Sequence, residues 1–192
     1  MKKLLLGALL GALIGAIGLY VYQKTVHRGG APAGPAETAE SALAAASKGS
    51  ADTGAVLRKV KMTGAVLTVK DGESIQAAVS KAKPGDTIQV MPGLYRETVY
   101  IDKDNIAIVG VIERGAWPVM DGERKLNDAI LYSGSGIRIE NMKIMHYKGN
   151  AIMGQAGNNF VIRYNWIVDT GVYGIFPQFG KNGLVEYNVI SG

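Results

Sequence analysis

The chain has 192 residues, of which 47% are apolar, and this is enough for one folded domain with extensions. It contains no cysteine, which excludes disulfide bonds, thiolate metal sites and a thiol nucleophile. The formal charge of +5 comes from basic residues dispersed among Asp and Glu, without the basic stripe of a nucleic-acid-binding protein. We therefore expect no nucleic-acid partner.

Residues 1–28 predict a membrane anchor. Residues 4–22 contain no charged side chain and are about long enough to cross the hydrocarbon core of a membrane as a helix. Lys2 and Lys3 precede this run and favour an inside amino terminus, which places the rest of the chain on the periplasmic or extracellular side of an inner membrane. The alternative is a cleaved signal sequence and a secreted protein, although the apolar region of a signal is normally shorter.

Residues 29–65 are rich in Gly, Ala, Pro and Ser and predict a flexible linker. This composition cannot bury a hydrophobic core. We expect the linker to hold the folded part, residues 66–192, at some distance from the membrane surface.

The last third of the chain repeats with a constant stride of about 23 residues. A period of this length is typical of leucine-rich repeats and of β-solenoids. Each unit contains short β-branched runs separated by Gly and Asn, without a helical stretch, which favours a solenoid with three short strands per coil. Two apolar columns recur at this stride: Ile139, Ile162 and Val185 in one, and Ile144, Ile167 and Ile190 in the other.

Each coil is predicted to bend between these two columns, because Ile162 and Ile167 cannot share a face of one straight strand. Asn165 and Asn188 lie in this interval of successive coils, and Asn tolerates left-handed backbone angles better than other non-glycine residues. We expect Asn to form the bend and the two side chains to stack. Met142 replaces Asn in the preceding unit, so the ladder is expected to begin at Asn165.

The segment from Asp71 to Gly110 resembles the opening of the pectin-lyase-like right-handed parallel β-helix proteins. In that family a short amphipathic helix caps the solenoid and a Pro-Gly-Asp turn leads into the first strand. The corresponding parts here are residues 74–82 and Pro84-Gly85-Asp86. The resemblance extends to Gly192 and implies an all-β, right-handed parallel β-helix with about 23 residues per coil.

The ends of a β-helix expose unpaired backbone and an open core, and they need caps. The helix at residues 74–82 is a candidate cap for the amino end. Residues 184–190 read as a coil in progress, so we expect the sequence to be a fragment of a longer protein.

The resemblance implies that functional residues lie in an outer groove across successive coils. Asp121 and Asp169 are candidate catalytic carboxylates and candidate ligands for the Ca²⁺ that pectate lyases use, and Arg163 is a further catalytic candidate. The two Asp residues also lie in ordinary turn sequences. His146 is interpreted as a packed edge residue rather than a base.

The candidate ligand-binding residues are Trp166, Tyr164, Tyr187 and Glu186. An outward Trp166 would offer an apolar platform to a sugar ring, whereas stacking between coils also explains the two tyrosines. Glu140, Arg163 and Glu186 recur at the stride of the repeat and are expected to form a structural column of ion pairs.

Two functions remain open. The first is an exported cell-envelope protein that binds polysaccharide or acts on it, as a polysaccharide lyase or a glycoside hydrolase. The second is a non-catalytic periplasmic scaffold or maturation factor, which the lack of a recognisable catalytic constellation favours.

Overall fold

The computed structural model describes residues 62–192. They form a parallel β-solenoid of the right-handed type, with about 5 turns and one helix. The predicted membrane segment at residues 4–22 and the linker up to residue 61 lie outside the described residues. Within residues 62–192, no helix is both long enough and apolar enough to span a membrane.

Short strands alternate with turns along the whole described chain, as the β-branched runs predict. The elements are β1 Val66–Val69, α1 Ile75–Lys81, β2 Thr87–Val90, β3 Gly93–Tyr95, β4 Val99–Ile101, β5 Ala107–Gly110, β6 Pro118–Asp121, β7 Ile130–Tyr132, β8 Arg138–Glu140, β9 Lys143–Met145, β10 Ile152–Gly154, β11 Val161–Arg163, β12 Trp166–Val168, β13 Ile175–Pro177, β14 Leu184–Glu186 and β15 Val189–Ser191.

Strands one coil apart pair in parallel and form three sheets. Sheet A has the order β1-β2-β5-β8-β11-β14, sheet B the order β3-β6-β9-β12-β15, and sheet C the order β4-β7-β10-β13. Each coil from β2 to β13 contributes one strand to each sheet, which confirms the prediction of three short strands per coil.

The two predicted apolar columns are confirmed by the strand register. Ile139, Ile162 and Val185 are Cα partners in sheet A, and Ile144, Ile167 and Ile190 are Cα partners in sheet B. The first two members of each column are fully buried in the main core cluster. Ile190, in the last strand, is half exposed.

The coils differ in length outside the repeated part. Val161 pairs with Arg138 and with Leu184, and these two partners are equally distant from it along the chain. Ala107 pairs with Thr87 across a shorter coil and with Arg138 across a longer one. The extra residues of the longest coil lie in the turns on either side of β6.

The bend between β11 and β12 differs from its prediction in one respect. The residue in the left-handed region is Tyr164, with a φ of 59°, and not Asn165. The equivalent residues of the neighbouring coils, Asn141 and Tyr187, have φ values of 57° and 52°. The expectation that Asn165 and Asn188 supply the left-handed angle is therefore wrong.

Asn165 serves the bend through its side chain instead. It is 1% exposed, and its Oδ1 accepts a hydrogen bond from the Met142 N–H at 3.1 Å. Its Nδ2 donates to the Ile139 carbonyl at 3.1 Å and to Asn188 Oδ1 at 3.0 Å. The stacked Asn pair is confirmed, and it satisfies backbone groups that the bend leaves without strand partners.

Helix α1 is present where it was predicted and covers part of the first strand of sheet C. Ser74 is its N-cap, and the Glu97 carboxylate accepts hydrogen bonds from the N–H groups of Ile75 at 2.7 Å and Gln76 at 3.0 Å. Gln76 Oε1 accepts from the Tyr100 N–H at 2.6 Å, so a side chain takes the place of a neighbouring strand.

Candidate functional site

The outer face of sheet B carries an aromatic and cationic group that we call the indole–lysine cluster, formed by Trp117, Lys143 and Trp166. Lys143 and Trp166 are Cα partners on β9 and β12, and the Lys143 ammonium lies 3.8 Å from the Trp166 ring centroid. Trp117 contacts Trp166 edge to face, with ring centroids 5.9 Å apart. The cluster therefore spans three successive coils.

The surroundings of this cluster are partly desolvated. Burial lowers the pKa of the Lys143 ammonium, an effect that the nearby Asp121 carboxylate opposes. Trp166 is partly exposed, but its indole N–H is buried and has no hydrogen-bond partner among residues 62–192. Because Lys143 lies over the ring of Trp166, the predicted sugar platform is partly covered.

Polar side chains meet at the edge of sheet B where β6, β9 and β12 end. We call Asp121, Arg124, His146 and Asp169 the edge cluster. His146 Nδ1 lies 3.1 Å from Asp121 Oδ1, and the Arg124 guanidinium forms an ion pair with Asp169. Stacked parallel strands end side by side, so residues from turns of three coils become neighbours.

The backbone around the edge cluster is tightly constrained. The Arg124 N–H donates to the His146 carbonyl at 2.7 Å. Arg124, His146 and Asp169 all have left-handed φ values, of 54°, 57° and 52°. A Cβ atom on Gly122 would lie 2.7 Å from the His146 carbonyl oxygen, so this close approach requires glycine.

The Asp121 carboxylate fixes the orientation of the His146 ring. Its Oδ1 also accepts a hydrogen bond from the Glu123 N–H at 2.8 Å, which holds the carboxylate in place. This geometry assigns the proton to Nδ1 and leaves a lone pair on Nε2. His146 is 30% exposed, and its Nε2 has no hydrogen-bond partner in the part of the chain that the structure describes. The ring can therefore accept a proton or a hydrogen bond from a ligand.

The structure brings together residues that the sequence did not connect. The sequence marks Asp121 and Asp169 as candidate carboxylates in separate turns and predicts a packing role for His146. Asp121 and His146 lie 25 residues apart, close to the length of one coil, and His146 and Asp169 are separated by one repeat. This spacing was the signal that sequence reasoning missed.

Arg163 lies on sheet A, away from the edge cluster. Its Nε is 2.5 Å from Glu140 Oε1, and its Nη1 is 3.6 Å from Glu186 Oε1. Arg138 binds Glu140 as well, at 2.6 and 3.0 Å. Glu140, Arg163 and Glu186 form the expected column of ion pairs, in which Arg163 already has anionic partners on both sides, and Arg138 is an additional partner of Glu140.

Tyr164 and Tyr187 stack on each other beside this column, with ring centroids 5.5 Å apart and planes at 17°. The candidate ligand-binding residues thus lie on different surfaces. Trp166 is on sheet B, Glu186 is on sheet A, and the two tyrosines are at the bend between them.

Replacing Glu186 with Gln is expected to change how stability depends on pH. Burial raises the pKa of the Glu186 carboxyl in the folded protein, so the folded state binds this proton more tightly than the unfolded state. The contribution of this carboxyl to the free energy of unfolding is present at low pH. It is lost as the pH rises from the ordinary pKa of Glu through the raised pKa of Glu186.

Thermal unfolding of the wild type and Glu186→Gln at a series of pH values measures this effect. The variant should gain stability relative to the wild type as the pH rises through that window. A difference between the two proteins that does not vary with pH would contradict the assignment.

The residues described do not fit the calcium site that the resemblance implies. Among residues 62–192, no group of three or more His, Asp and Glu side chains is arranged to hold a metal ion. Asp121 already binds His146, and Asp169 already binds Arg124. Neither carboxylate is free to contribute to the several oxygen ligands that Ca²⁺ requires.

Comparison with known proteins gives no match: no protein-family model, curated protein or solved structure is significantly similar to this chain. The pectin-lyase-like resemblance therefore depends on the motifs of residues 71–110, together with the observed solenoid.

Proposed function

We propose that this chain is an exported cell-envelope protein of the pectin-lyase-like kind that binds polysaccharide, or acts on it, along the outer face of sheet B. The observation that carries the proposal is that β9 and β12 each contribute to both clusters. β9 carries Lys143 and leads into His146, and β12 carries Trp166 and leads into Asp169.

Such a surface suits a sugar chain for chemical reasons. The C–H faces of a sugar ring pack on indole, while its hydroxyl groups bond to carboxylate, imidazole and guanidinium groups. The indole–lysine cluster spans three coils, so a linear polymer lying across the coils would contact more than one of its side chains.

The sequence of the amino-terminal region supports a location in the cell envelope. Residues 4–22 have the length and composition of a membrane segment, and Lys2 and Lys3 favour an outside position for the remainder. Polysaccharides of the envelope would be within reach of a domain held there by residues 29–65.

A non-catalytic scaffold or maturation factor is the second candidate. It is favoured by the outward column of Glu140, Arg163 and Glu186, whose charged groups pair with one another between coils. The stacked tyrosines beside them are likewise occupied by each other. On this surface, side chains that could bind a ligand bind one another instead, and these contacts stabilise the stacking of the coils.

Replacing Trp166 with Ala tests the first candidate. The full-length chain in detergent should be retarded in native gels that contain an acidic or a neutral polysaccharide, and Trp166→Ala should weaken binding about tenfold, because an aromatic contact contributes on the order of 1.4 kcal/mol. Tyr100→Ala is the matched control, since it removes an aromatic side chain that is 41% exposed on sheet C.

Circular dichroism should confirm that both variants keep the β-structure. Wild-type protein that migrates equally with and without every polysaccharide tried would argue against carbohydrate binding and for the scaffold. An equal loss of binding in Tyr100→Ala would place the binding surface elsewhere.

A further inference from the structure

We propose that the edge cluster is a hydrolytic site in which His146 acts as the general base and removes ester-linked acyl groups from a polysaccharide. This inference rests on the proposed function, because the substrate is the polysaccharide that the outer face of sheet B would hold. It assigns a catalytic role to a histidine that the sequence treats as a packing residue.

The pairing of Asp121 with His146 has the geometry of an oriented base. The carboxylate binds Nδ1 at 3.1 Å and is itself fixed by the Glu123 N–H at 2.8 Å. A base in this arrangement exposes Nε2 in its neutral form and gains stabilisation from the carboxylate once it is protonated. Asp121 is the positioning residue, because it contacts the imidazole and not the substrate.

The occupied carboxylates argue against cleavage of the glycosidic bond. That reaction requires two carboxyl groups facing one cleft, one of which donates a proton to the leaving oxygen. Here Asp121 is held by His146, and Asp169 is held by Arg124. Ester hydrolysis needs only a base for water and positive charge near the carbonyl oxygen, and the edge cluster offers both.

Arg124 is placed to supply that charge. Its backbone N–H bonds to the His146 carbonyl at 2.7 Å, which brings the two backbones together, and its side chain is 69% exposed. Only Nη2 of its guanidinium binds Asp169, so the other N–H groups can donate to an oxyanion. Lys143 is a second cation near Asp121. Positive charge at these positions would stabilise an oxyanion that forms close to His146 Nε2.

The reaction balances with water as the only co-reactant. His146 Nε2 takes a proton from water as the water oxygen bonds to the ester carbonyl carbon, and the carbonyl electron pair moves onto the carbonyl oxygen. As that pair returns, the bond between the carbonyl carbon and the sugar oxygen breaks. The imidazolium gives its proton to the sugar oxygen, which leaves a carboxylic acid and a free hydroxyl group.

Acetylated xylan and 4-nitrophenyl acetate are suitable probes, with release of acetate by the full-length chain as the measurement. His146→Asn should lower kcat at least about 100-fold, since general-base catalysis contributes roughly 10²–10⁴. Asn is the matched replacement because it tolerates the left-handed φ of 57° at this position. Thr68→Ala, on sheet A, is the control and should keep the wild-type rate.

Asp121→Asn separates positioning from folding. It should lower kcat while KM and the melting temperature stay close to the wild-type values, because the imidazole loses the carboxylate that fixes its orientation. A purely structural role for Asp121 would instead lower the melting temperature and leave kcat per folded molecule unchanged.

The outcomes distinguish this inference from the proposed function. Wild-type protein that binds polysaccharide in gels but releases no acetate would overturn the esterase assignment and leave carbohydrate binding intact. A His146→Asn variant with the wild-type rate would overturn it as well, and so would an ultraviolet-absorbing unsaturated sugar as the product, which indicates elimination. Absence of both binding and acetate release would count against both proposals.

Discussion

Replacing Ile162 with Asp will abolish most of the stability of the solenoid. Ile162 is fully buried in the main core cluster, stacked between Ile139 and Val185. A carboxylate at this position would have no cationic partner in an apolar interior, and uncompensated burial of a charge costs more than about 4 kcal/mol. The measurement is urea unfolding followed by circular dichroism.

Ile162→Val is the matched control for this experiment. It keeps the branched apolar side chain and removes one methylene-sized group, so it should cost only about 1 kcal/mol. If Ile162→Asp unfolds at the same urea concentration as the wild type, Ile162 is not a core residue. That result would also undermine the column of buried residues on which the assignment of the solenoid depends.

Replacing Asn165 with Ala will cost about 3 kcal/mol, although the side chain is polar and small. The change removes the partners of the Met142 N–H and the Ile139 carbonyl at a position where water cannot replace them. Each buried group left without a hydrogen bond costs roughly 1–3 kcal/mol. Thermal and urea unfolding would measure the loss.

Asn188→Ala provides the comparison, because Asn188 occupies the same position one coil later and is only partly buried. Because Asn188 itself is partly exposed, water can enter the space that Ala leaves and bond to the groups that Asn188 served, so the loss should be smaller than at Asn165. Equal losses in the two variants would indicate that burial does not set the energy of the ladder.

The sequence predicted the repeated part of the fold because its side chains recur at the stride of the coil. Ile139, Ile162 and Val185 could be aligned without any structural information, and strand pairing stacks them as expected. Helix α1 and the turn at Pro84-Gly85-Asp86 that leads into strand β2 were expected from the resemblance of residues 71–110 to the opening of the pectin-lyase-like proteins. The periodic pattern and the resemblance therefore agree with the fold.

The remaining features could not be predicted from periodicity. β1 pairs with β2 across a coil that is shorter than the repeat, and β5 pairs with β8 across one that is longer, so these coils are out of step with it. Asn was assigned to the bend from its general preference, whereas the left-handed residue is the one before it. The position of Asn165 is instead explained by its hydrogen bonds to buried backbone groups. Which backbone groups are buried and need a partner is known only from the packed structure.

The candidate site was predicted only in part, for the same reason. Asp121 and Asp169 were recognised as candidates, but their contacts with His146 and Arg124 depend on where turns of unequal length place each residue. Arg124 lies in the turn after β6, which is longer than the corresponding turns after β9 and β12. Ion pairs across the coils depend on the register of strands, and turn length fixes this register.

The pairing of each strand with partners one coil away also has a kinetic consequence. Every sheet contact joins residues about one coil apart in sequence, and none joins the two ends of the described chain. Nucleation then requires closure of only one short loop, and each later coil adds to a template that already exists. Such a molecule can fold progressively, one coil after another, before its last residues have been synthesised.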